Sequence, residues 1–230
     1  MQLHGTKPTE TADFLKGQIV NIDKPLNWTS FDVVKKVRNS ISAKVGHAGT
    51  LDPFATGVLL LCTGRATKKV SDLMGLEKVY DAHIELGKRT DTFDLTGEIL
   101  EEKSIVGVEE KNVMSALQTF IGELLQTPPM YSAIKQNGVR LYKLARQGIT
   151  VERNPRKVQV HNMSNVVFDL PSISCTIHCS KGTYIRSIAD ELGQLLGVGA
   201  YLKGLRRTRI GDYAVEDAWV LSDFLKSHSN

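Results

Sequence analysis

One carboxylate, Asp52, stands in the stretch GHAGTLDPFATGVLLLCTGRATK (residues 46–68), with glycines at 46, 49 and 57 and Pro53 directly behind it. Glycine lets backbone approach backbone or a ligand, and proline stiffens the chain just after the acid. The apolar run GVLLLCTG (57–64) is too continuous for a half-exposed strand, and predicts one buried on both faces that anchors the loop. A lone Asp in a turn ordinarily just caps it. Against that ordinary reading stands its company, His47, Thr50, Thr56 and a buried strand that anchors the loop, which suits a reacting carboxylate. GRATKK lacks the spacing of a phosphate-binding loop, and one acid does not make the carboxylate pair of a glycosidase.

Charge is the second chemical feature. Residues 131–211 hold thirteen Lys and Arg against four Asp and Glu, a net of +9 in a chain whose total is only +4. Such asymmetry points to a polyanionic partner, although any single basic cluster reads first as solvated surface. Cys175, His178 and Cys179 raise a metal site, but on a strand 175 and 179 share a face and 178 points away. No second pair of ligands follows, so the cysteines read as small buried residues and no metal is expected. TDTFDLTG has the wrong acidic spacing for a calcium loop and reads as a tight turn.

The elements that must position these residues follow from periodicity. GQIVNIDKP (17–25) reads as a strand stopped by Pro25, and TSFDVVKKVRNSI as a helix capped by Ser30 with Val33, Val34, Val37 and Ile41 inward. EKVYDAHIELG (77–87) alternates, with Tyr80, Ala82, Ile84 and Leu86 on one face and Asp81, His83 and Glu85 on the other. KNVMSALQTFIGE reads as a helix with Val113, Leu117, Phe120 and Ile121 inward. QTPPMYSAIKQNGVRLYKLARQG breaks the pattern, opening on two prolines and ending in a short basic helix that stops at Gly148; it reads as an insertion. Strands around 157–169 and 173–179 follow, then a helix, SIADELGQLLG, with Ile188, Leu192, Leu195 and Leu196 inward, and a last helix near DAWVLSDFLK. Strands and helices mix without strict alternation, which predicts an α+β fold on a mixed, largely antiparallel sheet.

Bulk features set the class. At 230 residues and 41% hydrophobic the chain suits one large globular domain or a domain with a sizeable insertion. Residues 1–16 are polar and unpatterned, a tail or covering strand, and lack the form of a signal peptide; no apolar run has the length of a membrane span. Three cysteines fit a reducing cytoplasm better than a disulfide framework.

IDKPLNWTSFDVVKKVR, VGHAGTLDPFATGVLLLCTGRATK, KVYDAHIELGKRTDTFDLTGEI, PPMYSAIKQNGVRLYKLARQG, CSKGTYIRSIADELG and LRRTRIG occur in this order between about residues 17 and 220. Together they resemble the ordered motifs of the TruB-type tRNA pseudouridine synthases. The resemblance implies the pseudouridine synthase fold: a catalytic domain over 17–230, its central sheet flanked by helices, with an RNA-gripping insertion at about 127–148. Many relatives continue into a small C-terminal PUA-like RNA-binding domain. This sequence ends at Asn230 without room for one, and is expected to lack it.

The implied reaction converts a uridine at position 55 of the tRNA T-loop into pseudouridine, after the base has been flipped out at a cost of a few kcal/mol. Asp52 supplies the carboxylate, either attacking sugar or base covalently or removing a sugar proton. Arg186 is its implied ion-pair partner, since a guanidinium favours the ionised carboxylate; taken alone, Arg186 reads as a phosphate ligand or a brace. Tyr80 stacks under the extruded uracil; taken alone, it reads as a core tyrosine. His47 takes the place of the flipped nucleotide. Lys24, Pro25, Tyr184 and Lys181 line or buttress the pocket. Lys135, Arg140, Lys143 and Arg146 of the insertion neutralise phosphates, and Arg206 and Arg207 extend the basic track. No cofactor, membrane or obligate protein partner is implied, only tRNA, through its T-arm, acting with a cytoplasmic monomer. Two rivals are an inactive RNA-binding helper, against which the intact Asp52, Tyr80 and Arg186 speak, and the catalytic subunit of a guide-RNA particle, against which the tyrosine-bearing insertion speaks.

Overall fold

The structure is a computed structural model describing residues 13–136 and 138–228, so most of the expected N-terminal tail lies outside the described residues. The chain divides into two compact units, Met1–Tyr80 with Leu205–Asn230, and Asp81–Gly204. The first contains β1 (Ile19–Lys24), α1 (Ser30–Ile41), β2 (Val45–Ala48), β3 (Thr56–Thr63), α2 (Val70–Gly75) and the start of β4 (Lys78–Leu86). The second takes in the rest of β4, then β5 (Lys88–Thr90), β6 (Ile99–Glu102), α3 (Glu110–Gln118), β7 (Gly122–Gln126), β8 (Lys135–Gln136), β9 (Val139–Arg140), α4 (Leu141–Ala145), β10 (Arg156–Asp169), β11 (Ser172–Cys179) and α5 (Ile185–Leu195). β12 (Ala200–Ile210) starts there and returns to the first unit, which closes with β13 (Tyr213–Ala214), β14 (Trp219–Val220) and α6 (Leu221–Ser227).

In the first unit β3 is the centre. One edge pairs antiparallel with β1; the other is shared by β12, parallel at Thr56 and Gly57, and β2, antiparallel from Leu60 to Thr63. Both faces of β3 are buried, as its unbroken apolar run predicts. Leu59 and Leu61 meet Val20, Ile22, Val33, Val37 and Phe224 beneath α1 and α6, while Val58, Leu60 and Cys62 meet Leu73, Ile210 and Tyr213. Lys24 on β1 and Arg207 on β12 are both register partners of the same residue, Gly57. Gly57 has φ +101°, and a Cβ there would lie 2.2 Å from the Arg207 carbonyl oxygen, so the parallel pair closes only on a glycine.

In the second unit β4, β11, β10 and β7 lie side by side, with β10 antiparallel to both its neighbours. The alternation read in β4 holds: Ala82, Ile84 and Leu86 are buried. Asp81 and His83 face the other way and bond the hydroxyls of Thr176 and Ser174 across the sheet. Cys175 and Cys179 are buried with Ile173 and Ile177, as their spacing predicts. Sheet pairing is therefore mixed and largely antiparallel, with helices flanking it. Among the described residues no helix is long and apolar enough to cross a membrane.

Three readings need correction. Thr29, not Ser30, caps α1, through a reciprocal box in which Thr29 Oγ accepts from Asp32 N at 3.0 Å and the Asp32 carboxylate accepts from Thr29 N at 3.0 Å. The helix read through Glu123 stops at Gln118, because Gly122 at φ +119° turns the chain into β7, and Ile121 is left exposed. On α5 the buried face runs through Ala189, Leu192 and Gly193 rather than Leu195. Gly193 is the reason: a Cβ there would sit 2.0 Å from Ala200 N, so the helix rolls its glycine against the start of β12.

Two substitutions separate a local from a global constraint. Thr29→Ala should lower stability by about 1 kcal/mol, the usual worth of an N-cap. Gly57→Ala should cost on the order of 3 kcal/mol or more, because the strained φ and the blocked β3–β12 approach add. Urea denaturation of both variants beside wild type measures the difference.

Candidate active site

Asp52 is half-buried on the loop between β2 and β3. The backbone around it is tied by groups from four other segments. Ser30 is free of capping duty at the start of α1; its Oγ accepts from Leu51 N at 2.9 Å and donates to Leu51 O at 3.1 Å. Asp52 O accepts from Ala55 N at 3.1 Å, and Pro53 O accepts from Asn27 N at 2.9 Å. Lys24 Nζ donates to Pro53 O at 3.2 Å, and to Pro25 O at 2.9 Å and Trp28 O at 2.6 Å in the turn before α1. Arg207 reaches the loop from the other flanking strand: Nη2 donates to Gly49 O at 3.1 Å, Nη1 to Thr50 O at 3.5 Å and Nε to Val58 O at 2.8 Å.

Lys24 and Arg207 are essentially inaccessible, at 0% and 1% exposure. An ammonium buried this way needs all its hydrogens bonded, and three carbonyls supply that. Burial pushes the Lys24 ammonium down to about 8; Asp52 draws it back up, and Arg207 pushes it further down. Lys24 and Pro25 also wall a cavity of about 410 Å³ with Trp28, Thr56 and Arg206. Lys24 thus buttresses the loop through Pro53 O. Arg207 departs from its expected place on the RNA track, since a guanidinium sealed under the loop offers no face to a phosphate. Arg206, on the opposite strand face, forms a fork with Asp23 at 2.7 and 3.2 Å and keeps partial exposure. His47 is half-buried on β2, and Tyr80 is buried on β4.

The second unit holds the other half of the expected set. Arg186, in the first turn of α5, is 4% exposed. Its Nη1 lies 3.3 Å from Asp94 Oδ2 and donates to Thr92 O at 3.1 Å, and its Nη2 donates to Tyr131 O at 2.7 Å. Asp94 is itself braced: its Oδ1 accepts from the Thr92 hydroxyl at 2.8 Å, Thr96 N at 2.9 Å and the Thr96 hydroxyl at 2.5 Å. Asp94 is a carboxylate partner of Arg186 that the sequence does not single out; TDTFDLTG is a tight turn, as read, but one wound around Asp94. Gln126 on β7 fixes the approach to α5, accepting from Tyr184 N at 2.7 Å and donating to Tyr184 O at 3.1 Å. Lys181 is exposed just before it. Lys135, Arg140, Lys143 and Arg146 are all exposed on the insertion, and Arg146 lies over the Tyr142 ring at 5.5 Å.

The chain matches the family model described as TruB family pseudouridylate synthase (N terminal domain) over residues 35–185. It matches the tRNA pseudouridylate synthase B C-terminal domain over 186–229. It is 48% identical over 209 residues to a tRNA pseudouridine synthase B of Chlorobaculum tepidum, covering 88% of this chain and 87% of that one. With its Flavobacterium johnsoniae counterpart the identity is 43% over 223 residues, covering 94% and 97%. Among solved structures it is similar to a chain of a Cbf5–Nop10–Gar1 complex, with TM-score 0.73 and 29% identity over 95% of this chain. It spans little more than half of that solved chain, 56%.

Lys24 gives the loop a pH signature. Its folded pKa lies below its ordinary value of 10.5, so between about pH 8 and 10.5 the unfolded chain holds the extra proton. Stability from this group therefore rises with pH across that window and is flat below it. Relative to Lys24→Met, wild type should gain stability from pH 8 to 10 with a slope of at most ~1.4 kcal/mol per pH unit. Paired urea titrations at several pH values read this, with other titrating groups cancelling in the difference.

Proposed function

Because the chain belongs to the TruB family of pseudouridylate synthases, isomerases that convert uridine to pseudouridine in tRNA, we propose that its target is uridine 55 of the T-loop and that Asp52 is the carboxylate acting on it. The observation that carries this reading is the treatment of Asp52: the backbone is tied from Gly49 to Pro53 while the residue keeps partial exposure. Fixing a loop in this way has a use when the side chain must meet a reacting atom within a fraction of an ångström.

The reaction breaks the bond between ribose C1′ and uracil N1, turns the base and joins C1′ to C5. N1 gains a proton and C5 loses one, so nothing is oxidised and no water is consumed. Tyr80 offers a flat ring for the extruded uracil, and Arg186, held by Asp94 and two carbonyls, is the cation of the proposed catalytic set. His47 fills the place the flipped nucleotide leaves. Lys135, Arg140, Lys143 and Arg146 neutralise T-arm phosphates, offsetting the cost of unstacking. The partner is tRNA, recognised through its T-arm by a cytoplasmic monomer.

The reading is tested by release of the C5 proton from labelled uridine in a T-arm hairpin by the purified protein. Asp52→Asn should reduce turnover by at least about a thousandfold while hairpin affinity stays within about threefold, because the side chain keeps its size and loses its charge. Substantial turnover by the variant would remove Asp52 from the chemistry. Neutralising Lys135, Arg140, Lys143 and Arg146 together should weaken hairpin binding and flatten its salt dependence. The expected change is up to about 0.7–0.9 of a log–log unit for each phosphate that is no longer neutralised. An unchanged slope in a salt titration would place the phosphate-binding groups elsewhere.

A further inference from the structure

We infer that Arg207 is a positioning residue for the reaction: a buried guanidinium whose fork ties the entry and exit of the Asp52 loop and so fixes where the carboxylate stands. The inference rests on the reading of Asp52 as the reacting carboxylate.

The geometry is specific to arginine. Gly49 O and Thr50 O lie on the chain before Asp52, and Val58 O lies after it, so three donors of one planar group span the loop. A tie made on one side only would let the loop pivot about its other end; this one closes it. The guanidinium is itself held, because the Arg207 backbone pairs with Gly57 at a distance that excludes any Cβ. Its position is thus set by β12 and β3, and the loop is referred to the centre of the sheet. Lysine at 207 would keep the charge, but its compact ammonium cannot face carbonyls on both sides of the loop. At 1% exposure Arg207 has no surface for RNA, so its loss should act on the chemical step and leave affinity alone.

The test compares Arg207→Lys and Asp52→Asn with wild type in the full chain. It reads the single-turnover rate at saturating T-arm hairpin, hairpin affinity, and amide hydrogen exchange. Arg207→Lys should lose about a hundredfold in rate, the effect expected of an ångström-scale misplacement, with affinity within about threefold. The amides of Leu51 and Ala55 should exchange at least about tenfold faster than in wild type, while those of Ala82 and Ile84 in β4 keep their rate. A wild-type rate in Arg207→Lys, or a loss confined to affinity, would overturn the proposal. If that variant does not fold, wild type decides: Leu51 and Ala55 amides exchanging as slowly as Leu59–Leu61 support the tie, and exchange orders of magnitude faster overturns it. Near-normal turnover by Asp52→Asn is a different failure. It would overturn the role of Asp52, and with it the catalytic consequence of the tie, whatever the exchange data show.

Discussion

The loop between β2 and β3 turns its carbonyl groups inward, where water cannot serve them, and the site depends on how those carbonyls are satisfied. A buried carbonyl without a donor is costly, so each must be met by the protein. Here the donors are mostly side chains with long reach, delivered from the strands on either side of β3. Lys24 and Arg207 both stand opposite Gly57, one on each neighbouring strand, and their side chains converge on the loop that precedes it. A larger residue at 57 would push β12 away and carry Arg207 with it. The identity of one glycine therefore propagates to the placement of two cations, and through them to the backbone on both sides of Asp52.

That arrangement has an electrostatic consequence. Two cations buried near one another are unfavourable neighbours, and Lys24 registers this: burial and Arg207 both disfavour its charge, and Asp52 is the leading influence that favours it. The carbonyls solvate both cations, and the Asp52 carboxylate favours the charge on Lys24. The other unit uses the same device with different parts. Arg186 is sealed among Asp94, Thr92 O and Tyr131 O, and Asp94 is in turn fixed by two threonine hydroxyls and a backbone amide. In both cases a long side chain is immobilised by backbone carbonyls.

Much of this was legible in the sequence. The unbroken apolar run of β3 announced a strand covered on both faces, and the alternation of β4 separated its buried residues from Asp81 and His83. Asp52 stood out because glycines, a proline and a buried anchor surrounded it. What periodicity could not supply was the partner of each polar group. Thr29 and Ser30 are equally good caps by type; which one caps is decided by the Asp32 box, and the other then serves Leu51, 21 residues away. Asp94 sits among threonines that suit any turn, and nothing local marks it as the partner of Arg186. Arg207 follows Arg206 directly, yet strand alternation sends one under the loop and the other to Asp23 at a partly exposed edge. Ile121 and Leu195 are exposed against their periodicity for a related reason: Gly122 ends a helical pattern that composition alone would continue, and Gly193 turns α5 onto a face that hydrophobicity alone does not select.

A loop tied in advance is of use to the reaction if it presents the side chain at position 52 to a uridine taken out of its stack. A crystal structure of the Asp52→Asn protein with a T-arm hairpin, in which the substrate remains unreacted, would show whether it does. The target uridine should be flipped out and stacked on Tyr80, with the substituted side chain at position 52 within about 3.5 Å of its ribose or base. Residues 49–53 should superimpose on the free protein within about 1 Å. A uridine still stacked in the T-loop, or a flipped uridine attended by a different carboxylate, would contradict this reading of the site.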